Sequence, residues 1–187
     1  MLTTWIAYLL LILFFALEPL LRKGPAARSL QAARDDRAST RLIGICLILL
    51  LLLSVFLNLA GWGRFRNPHV SYIGLSLMAA GLLLRSWAMQ TLSQHYTRTL
   101  QTDSSQLLVR RGPYRLVRHP GYLGTLLVWC TAGLAMQNIL LFIFSALLAI
   151  PVYAYRIQQE ETLLVKQFGD SYLAYQRRSW KLLPPLW

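Results

Sequence analysis

Two polar segments carry most of the side chains whose types and spacing could do chemistry, and residues 106–124 form the first. Pro120 suits the first turn of a helix, so His119 and Tyr122, three residues apart, are predicted neighbours at its start. The free N–H groups of that turn and the adjacent Arg118 would favour an anionic ligand group. The alternative is that the basic side chains of this segment only contact lipid phosphates.

The second polar segment spans residues 156–178, where Arg156 and Glu160 are four residues apart and share one helical face. They could form an exposed ion pair worth only about 0.3–0.5 kcal/mol, or Arg156 could reach a substrate while Glu160 contacts a cofactor. An amphipathic helix is predicted to lie on the membrane surface here, with an apolar face made by Leu163, Leu164 and Phe168. Tyr172 and Tyr175 follow it and are interpreted as interfacial anchors.

Long apolar blocks dominate the rest of the 187-residue chain. Apolar residues make up 56%, charged residues 14%, and the mean hydropathy is +0.44, which excludes a disordered chain and indicates an integral membrane protein. Metal chemistry lacks support because His69, His95 and His119 are scattered, and the glycine motifs that bind phosphates or dinucleotides are absent. Cys46 and Cys130 lie inside apolar blocks and are interpreted as small core residues.

The apolar blocks predict an all-α membrane protein with about five transmembrane helices. Residues 42–62 are uncharged and match the roughly 20 residues that cross the hydrocarbon core. Residues 121–155 are also uncharged, but one helix of 35 residues would be about 52 Å long. They are therefore predicted to form a tight hairpin of two antiparallel helices, the second kinked by Pro151. The predicted spans are Leu2–Leu21, 42–62, 70–89, 121–136 and 139–155.

The distribution of Lys and Arg predicts the orientation in the membrane. The first loop has six, the third loop five and the tail five, against two in the second loop and none in the hairpin turn. Because basic loops stay in the cytoplasm, the N-terminus is expected outside and the C-terminus inside. This topology and anionic lipid explain the net charge of +12 without nucleic acid. Residues 1–5 lack a basic side chain, so the first span is not expected to be a cleaved signal peptide.

Taken together, the two polar segments resemble the isoprenylcysteine carboxyl methyltransferase family, within the wider group that includes phospholipid methyltransferases. The pattern is RHPxYxG, followed about 40 residues later by EExxLxxxFGxxYxxY, and the likeness covers about residues 85–181. The matching residues before the hairpin are Leu108, Val109, Gly112, Tyr114, Arg118, His119, Pro120, Tyr122 and Gly124. Those after it are Arg156, Glu160, Glu161, Leu164, Phe168, Gly169, Tyr172 and Tyr175.

The resemblance implies an enzyme that uses S-adenosylmethionine, with its cofactor site at the cytoplasmic ends of the last two spans and the tail. Residues 70–187 would form the methyltransferase core, and residues 1–69 would contribute two N-terminal spans and a basic loop. Arg156 falls where the family contacts the substrate near the methyl acceptor, and Glu160 is expected to serve the same catalytic centre. The implied cofactor-binding positions are Gln106, Leu107, Leu108, Val109, Tyr114, His119, Pro120, Tyr122 and Glu160. The eukaryotic enzymes have His in place of Gln106 and often Ser in place of Gly121.

Several functions stay open at this level. A lipophilic acceptor entering from the bilayer is expected, and an ionised carboxylate would need no general base. Methylation of a phospholipid amine or another small-molecule N- or S-acceptor is the alternative, and an amine would require Glu160 or Glu161 as base. A non-catalytic scaffold or transporter subunit is a further alternative, although Arg85 is the only charge inside a predicted span apart from Glu18, which marks the end of the first one. The compact layout is typical of prokaryotic members, so a bacterial or archaeal cytoplasmic membrane is expected. The oligomeric state is left open.

Overall fold

The structure, a computed structural model, describes residues 2–21, 38–92 and 108–185, and its regular elements within these ranges are all helical. The predicted all-α class is therefore confirmed. The elements are α1 (Leu2–Leu21), α2 (Ser39–Ala60), α3 (Pro68–Leu92), a 3₁₀ turn (Gly112–Arg115), α4 (Pro120–Ala135), α5 (Ile139–Phe168) and α6 (Asp170–Gln176).

Four helices, α1, α2, α3 and α5, are long and apolar enough to cross a membrane. The predicted hairpin is present as α4 and α5, joined by a short turn in which Gln137 has a φ of +55°. Helix α4 has only 16 residues and is about 24 Å long, shorter than the roughly 30 Å hydrocarbon core.

Helix α5 differs from the prediction because it does not end at Tyr155. It continues through Pro151 and the charged residues beyond as one helix of 30 residues, so the expected separate surface helix is its extension. Asn138 caps its start by accepting a hydrogen bond from the N–H of Leu141 at 3.0 Å. The chain leaves it through Gly169, whose φ of +51° suits glycine, and α6 follows at once. The extension carries the second polar segment beyond the apolar part of the helix.

Contacts at the two ends of the bundle make successive helices antiparallel. At one end, Arg85 near the end of α3 contacts Glu18 near the end of α1 and Thr125 in the second turn of α4. At the other end, Asn138 donates a hydrogen bond to the carbonyl of Trp62 beyond α2. The first end therefore gathers the ends of α1 and α3 and the starts of α2 and α4.

Helices α3 and α4 approach closely through glycine. A Cβ on Gly81 would lie 2.6 Å from the carbonyl oxygen of Gly124, so a side chain there would force the backbones apart. Small residues permit such close helix contacts in membranes, where packing rather than water exclusion holds helices together. The contact fixes the start of α4, and with it His119 and Tyr122, relative to α3.

One apolar core draws buried residues from all five long helices. Cys46 is buried in it and Cys130 packs against it, both as free thiols, which confirms their interpretation as small core residues. Phe14 and Trp129 meet edge to face with ring centroids 5.9 Å apart, joining α1 to α4. The first two helices are thus packed into the same body that carries the polar segments.

Candidate active site

A cavity of about 300 Å³ lies at the end of the bundle where α1 and α3 end and α2 and α4 begin. It brings together residues of both polar segments. Of the residues proposed from the sequence, those that line it are Leu108, Val109, Tyr114, His119, Tyr122, Arg156 and Glu160. Pro120 instead begins α4 and is buried without lining the cavity. Gln106 and Leu107 lie outside the described residues.

Tyr122 joins Arg156 to Glu160 at the middle of this arrangement. Its hydroxyl donates a hydrogen bond to Glu160 Oε2 at 2.6 Å and accepts one from Arg156 Nε at 3.0 Å. The predicted neighbourhood of His119 and Tyr122 is also confirmed, because their rings stack with centroids 5.7 Å apart and planes 12° apart. The ring of Tyr153 lies on the other side, 5.4 Å from that of Tyr122.

The interpretation of Arg156 as half of an exposed ion pair is wrong. Its side chain is only 3% exposed. Its Nη1 donates hydrogen bonds to Ser39 Oγ at 2.7 Å and Thr40 Oγ1 at 3.0 Å, both at the start of α2. A buried guanidinium held from two helices has a fixed position, which is what recognition of a carboxylate requires.

Glu161 has a different environment from its neighbour Glu160. Its carboxylate accepts a hydrogen bond from Arg118 Nε at 2.7 Å and lies 3.2 Å from His119 Nε2 and 3.9 Å from Lys181 Nζ. Glu161 does not line the cavity. Arg118 and His119 are therefore held toward α5, which contradicts the alternative that they only contact lipid phosphates.

The residues after α6 hold the first polar segment in place through its backbone. The N–H of Arg118 donates to the carbonyl of Trp180 at 2.8 Å, and the N–H of His119 donates to that of Lys181 at 3.2 Å. Arg118 also reaches the carbonyls of Gln176 and Ser179. The tail thus closes over the turn that enters α4, so that turn does not depend on local contacts alone.

The interpretation of Tyr172 and Tyr175 as interfacial anchors is wrong, because the two side chains are 1% and 7% exposed and line the cavity. Tyr175 donates a hydrogen bond to the carbonyl of Tyr114 at 2.5 Å, fixing the 3₁₀ turn. Burial raises the pKa of Tyr175 to about 12, against the opposing effect of the nearby Arg118 and Arg110. Burial also raises the pKa of Tyr172 well above its usual value, so both phenols stay protonated.

The wall of the cavity formed by α1, α2 and α3 was missed from the sequence. Arg85 lines this wall, and its Nη1 donates a hydrogen bond to Thr125 Oγ1 at 2.7 Å. Its guanidinium also lies 3.7 Å from the carboxylate of Glu18 and 4.7 Å from the centre of the Phe14 ring. Arg85, noted above as a charge within a predicted span, therefore has its contacts on α1 and α4. The available signal was that two otherwise apolar spans each carry one charge, of opposite sign. The other lining residues from α1 and α2 are Phe15, Thr40, Ile43, Gly44, Leu47 and Ile48.

The cavity thus combines a fixed arginine, a carboxylate, tyrosine rings and an apolar wall that continues into the helix bundle. Within residues 2–21, 38–92 and 108–185 there is no group of three His, Cys, Asp or Glu side chains that could hold a metal ion. Its size falls at the lower end of the range for small-molecule sites. The groups present can bind an anion at Arg156 and a cation at Glu160, with aromatic faces between them.

The sequence and the fold of this chain are similar to those of known proteins. A sequence profile of the isoprenylcysteine carboxyl methyltransferase family matches residues 73–166. The protein-S-isoprenylcysteine O-methyltransferase of Dictyostelium discoideum is 29% identical over 115 residues, covering 60% of this chain and 48% of that protein. The probable protein-S-isoprenylcysteine O-methyltransferase of Oryza sativa subsp. indica is 32% identical over 118 residues, covering 62% and 61%.

A solved structure is also similar. It is described as the eukaryotic intramembrane Ras methyltransferase, isoprenylcysteine carboxyl methyltransferase, and it matches with a TM-score of 0.60 and 25% identity. The match covers 79% of this chain and 52% of that one. The matched part of the chain therefore spans 48–61% of the length of these relatives.

Proposed function

The chain belongs to the isoprenylcysteine carboxyl methyltransferase family, and from this we propose that it is a membrane enzyme that methylates a lipophilic acceptor with S-adenosylmethionine. The observation that carries the proposal is that Tyr114, His119, Arg156 and Glu160 line one cavity, although they come from two distant segments. A scaffold without turnover would have no use for a buried arginine and a carboxylate converging on a common space.

Five membrane-spanning helices accommodate this site at the cytoplasmic surface. Helix α4 is the fifth span, and its antiparallel packing against α3 and α5 supports this although it is short. The alternation of the helices and the basic loops favour a cytoplasmic C-terminus and an outer N-terminus. A bacterial or archaeal cytoplasmic membrane is the proposed location. Residues 70–187 form the catalytic core, and residues 1–69 add the acceptor-side wall.

The cofactor is proposed to occupy the part of the cavity bounded by the first polar segment, α6 and the extension of α5. Tyr114, His119 and Tyr122 supply rings and polar atoms there, while Leu108 and Val109 supply an apolar wall and backbone groups. Pro120 acts indirectly by starting α4, and Gln106 and Leu107 remain proposed binding positions just before this wall. When bound, S-adenosylmethionine supplies an electrophilic methyl group on a positively charged sulfur. The Glu160 carboxylate and the nearby tyrosine rings complement that charge.

Alignment and exclusion of water account for catalysis. Arg156 is held by Ser39 and Thr40, and its fixed guanidinium would hold an acceptor carboxylate through a charge-assisted contact. S-adenosylmethionine would supply the methyl group to an acceptor oxygen held by Arg156, and the electron pair of the broken carbon–sulfur bond would return to its sulfur. No proton moves in this step, because the carboxylate is already ionised at neutral pH.

The environment of Glu161 favours a carboxylate acceptor over an amine. An amine must lose a proton, and Glu161 is unsuited as the base because Arg118, His119 and Lys181 surround it outside the cavity. Two other carboxylates line the cavity, and both are engaged: Glu160 accepts a hydrogen bond from Tyr122, and Glu18 lies 3.7 Å from Arg85. Prenylcysteine-like acids are therefore the proposed acceptors, and phospholipid amines the second candidate.

Purified protein in detergent tests the proposal in two steps. Calorimetry with S-adenosylhomocysteine should give saturable binding, and no binding at millimolar ligand in a folded sample would overturn the proposal. Incubation with labelled S-adenosylmethionine and either S-farnesylcysteine or phosphatidylethanolamine then identifies the acceptor class by mass spectrometry. An ester product supports the carboxylate assignment, whereas an N-methyl product would replace it with the alternative. The Arg156→Ala protein should bind the cofactor but lose methyl transfer.

A further inference from the structure

Tyr172 is a buried phenol whose hydrogen bond is missing. Its side chain is 1% exposed, and its hydroxyl has no hydrogen-bond partner among the residues that the structure describes. The neighbouring Tyr175 differs, because its hydroxyl donates to the carbonyl of Tyr114. Nearly all buried polar groups in proteins are paired, so an orphaned hydroxyl points to a ligand that completes it.

The position of Tyr172 says which kind of ligand group it would meet. It lines the cavity on the same side as Leu164 and Phe168 from the end of α5 and Tyr175 from α6. These side chains make a mostly aromatic and apolar surface with a single unused polar atom. Such a surface suits a flat, neutral heterocycle that needs few hydrogen bonds.

The charges around Tyr172 argue against the charged ends of the cofactor. Burial, and after it the charges of Glu161 and Glu160, raises the pKa of Tyr172 against the opposing charge of Arg118, so the hydroxyl stays a donor. The Glu160 carboxylate would repel the carboxylate of the amino-acid part, whereas the charge of Glu161 is compensated by Arg118. The cationic sulfur must approach Arg156 and Tyr122, where the acceptor is held. By elimination, the neutral adenosine part of the cofactor would lie against the surface around Tyr172.

We infer that the Tyr172 hydroxyl hydrogen-bonds the adenosine part of S-adenosylmethionine and is a cofactor-binding residue. The inference rests on the proposed function and adds to it a residue that the sequence had assigned to the membrane interface. Tyr172 lines the cavity while its hydroxyl is itself buried, and side-chain adjustments of the size common on binding would bring the hydroxyl into contact with the ligand.

The Tyr172→Phe protein tests this inference, with Tyr72→Phe as the matched control. Tyr72 lies in α3 and is 62% exposed, so its hydroxyl should affect neither binding nor stability. Tyr172→Phe should weaken binding of both S-adenosylhomocysteine and 5′-methylthioadenosine by about three- to tenfold, since both contain adenosine. Without ligand, its melting temperature should equal or exceed that of the wild type, because an unpaired buried hydroxyl is removed.

The outcomes separate this inference from the proposed function. If the wild type binds neither compound, the proposed function fails. If the wild type binds both and Tyr172→Phe binds them equally well, the inference alone is overturned. Weaker binding of S-adenosylhomocysteine with unchanged binding of 5′-methylthioadenosine would place the hydroxyl at the amino-acid end and overturn the adenosine assignment. A lower melting temperature with unchanged affinities would make Tyr172 structural.

Discussion

Replacing Glu160 and Glu161 by glutamine, one at a time, separates the chemical site from the contacts that hold it. Glu160 lines the cavity and accepts a hydrogen bond from Tyr122, whereas Glu161 lies outside the cavity and pairs with Arg118. The two positions are adjacent in α5 and undergo the same chemical change, so each variant controls for the other.

The size of the two effects follows from burial. The side chains of Arg118 and Glu161 are 8% and 13% exposed, so Glu161→Gln leaves a nearly buried guanidinium without its counter-charge. The amide oxygen keeps part of the contact, and the expected loss in unfolding free energy is about 2–3 kcal/mol. For a chain of this size, that lowers the melting temperature by roughly 4–12 °C. Glu160→Gln alters one hydrogen bond at the cavity wall and should cost about 1 kcal/mol or less.

Differential scanning fluorimetry and calorimetry in the same detergent measure both quantities. Glu160→Gln should lower the affinity for S-adenosylmethionine by about tenfold, because the lost carboxylate complements a positively charged sulfur. The affinity for S-adenosylhomocysteine, whose sulfur is uncharged, should fall by less. Glu161→Gln should melt earlier and, below its melting temperature, bind both ligands within about threefold of wild type. The reasoning is refuted if Glu161→Gln melts like the wild type, or if Glu160→Gln binds both ligands normally.

Three further perturbations probe other parts of the structure. Arg156→Lys keeps the positive charge but loses the planar guanidinium with its several N–H donors. In steady-state kinetics, kcat/KM for the acceptor should fall about 100-fold, while calorimetry should show a cofactor affinity near that of the wild type. Gly124→Ala places a Cβ 2.5 Å from a carbonyl oxygen of α3 and should destabilise the protein by about 1–3 kcal/mol. Gly44→Ala is the control: the new Cβ would have no atom within 4 Å, so the melting temperature should not fall. Tyr175→Phe releases the carbonyl of Tyr114 and should weaken S-adenosylhomocysteine binding by about threefold with a lower melting temperature, and unchanged values would contradict the role given to that contact.

Sequence patterns predicted the helices well and their ends less well. The uncharged stretch of residues 121–155, too long for a single span, was sufficient to predict the hairpin of α4 and α5. The end of α5 was misplaced because residues beyond Tyr155 include good helix formers, and a change from apolar to charged side chains does not interrupt backbone hydrogen bonds. The change from apolar to charged side chains marks where a helix leaves the lipid, but it does not mark where the helix ends.

The sequence by itself determined which chemistry this chain can carry, because the residue types and spacing of the two polar segments can be recognised without a structure. Only the tertiary structure decided the role of each member of two similar pairs. Glu160 lines the cavity, whereas Glu161 lies outside it and contacts basic side chains. The hydroxyl of Tyr172 has no hydrogen-bond partner among the described residues, whereas that of Tyr175 donates to a carbonyl. The tertiary structure also decided that α1 and α2 complete the wall. The physical reason is that an apolar helix face looks the same whether lipid or protein covers it, so its partner is chosen by packing between segments far apart in the chain.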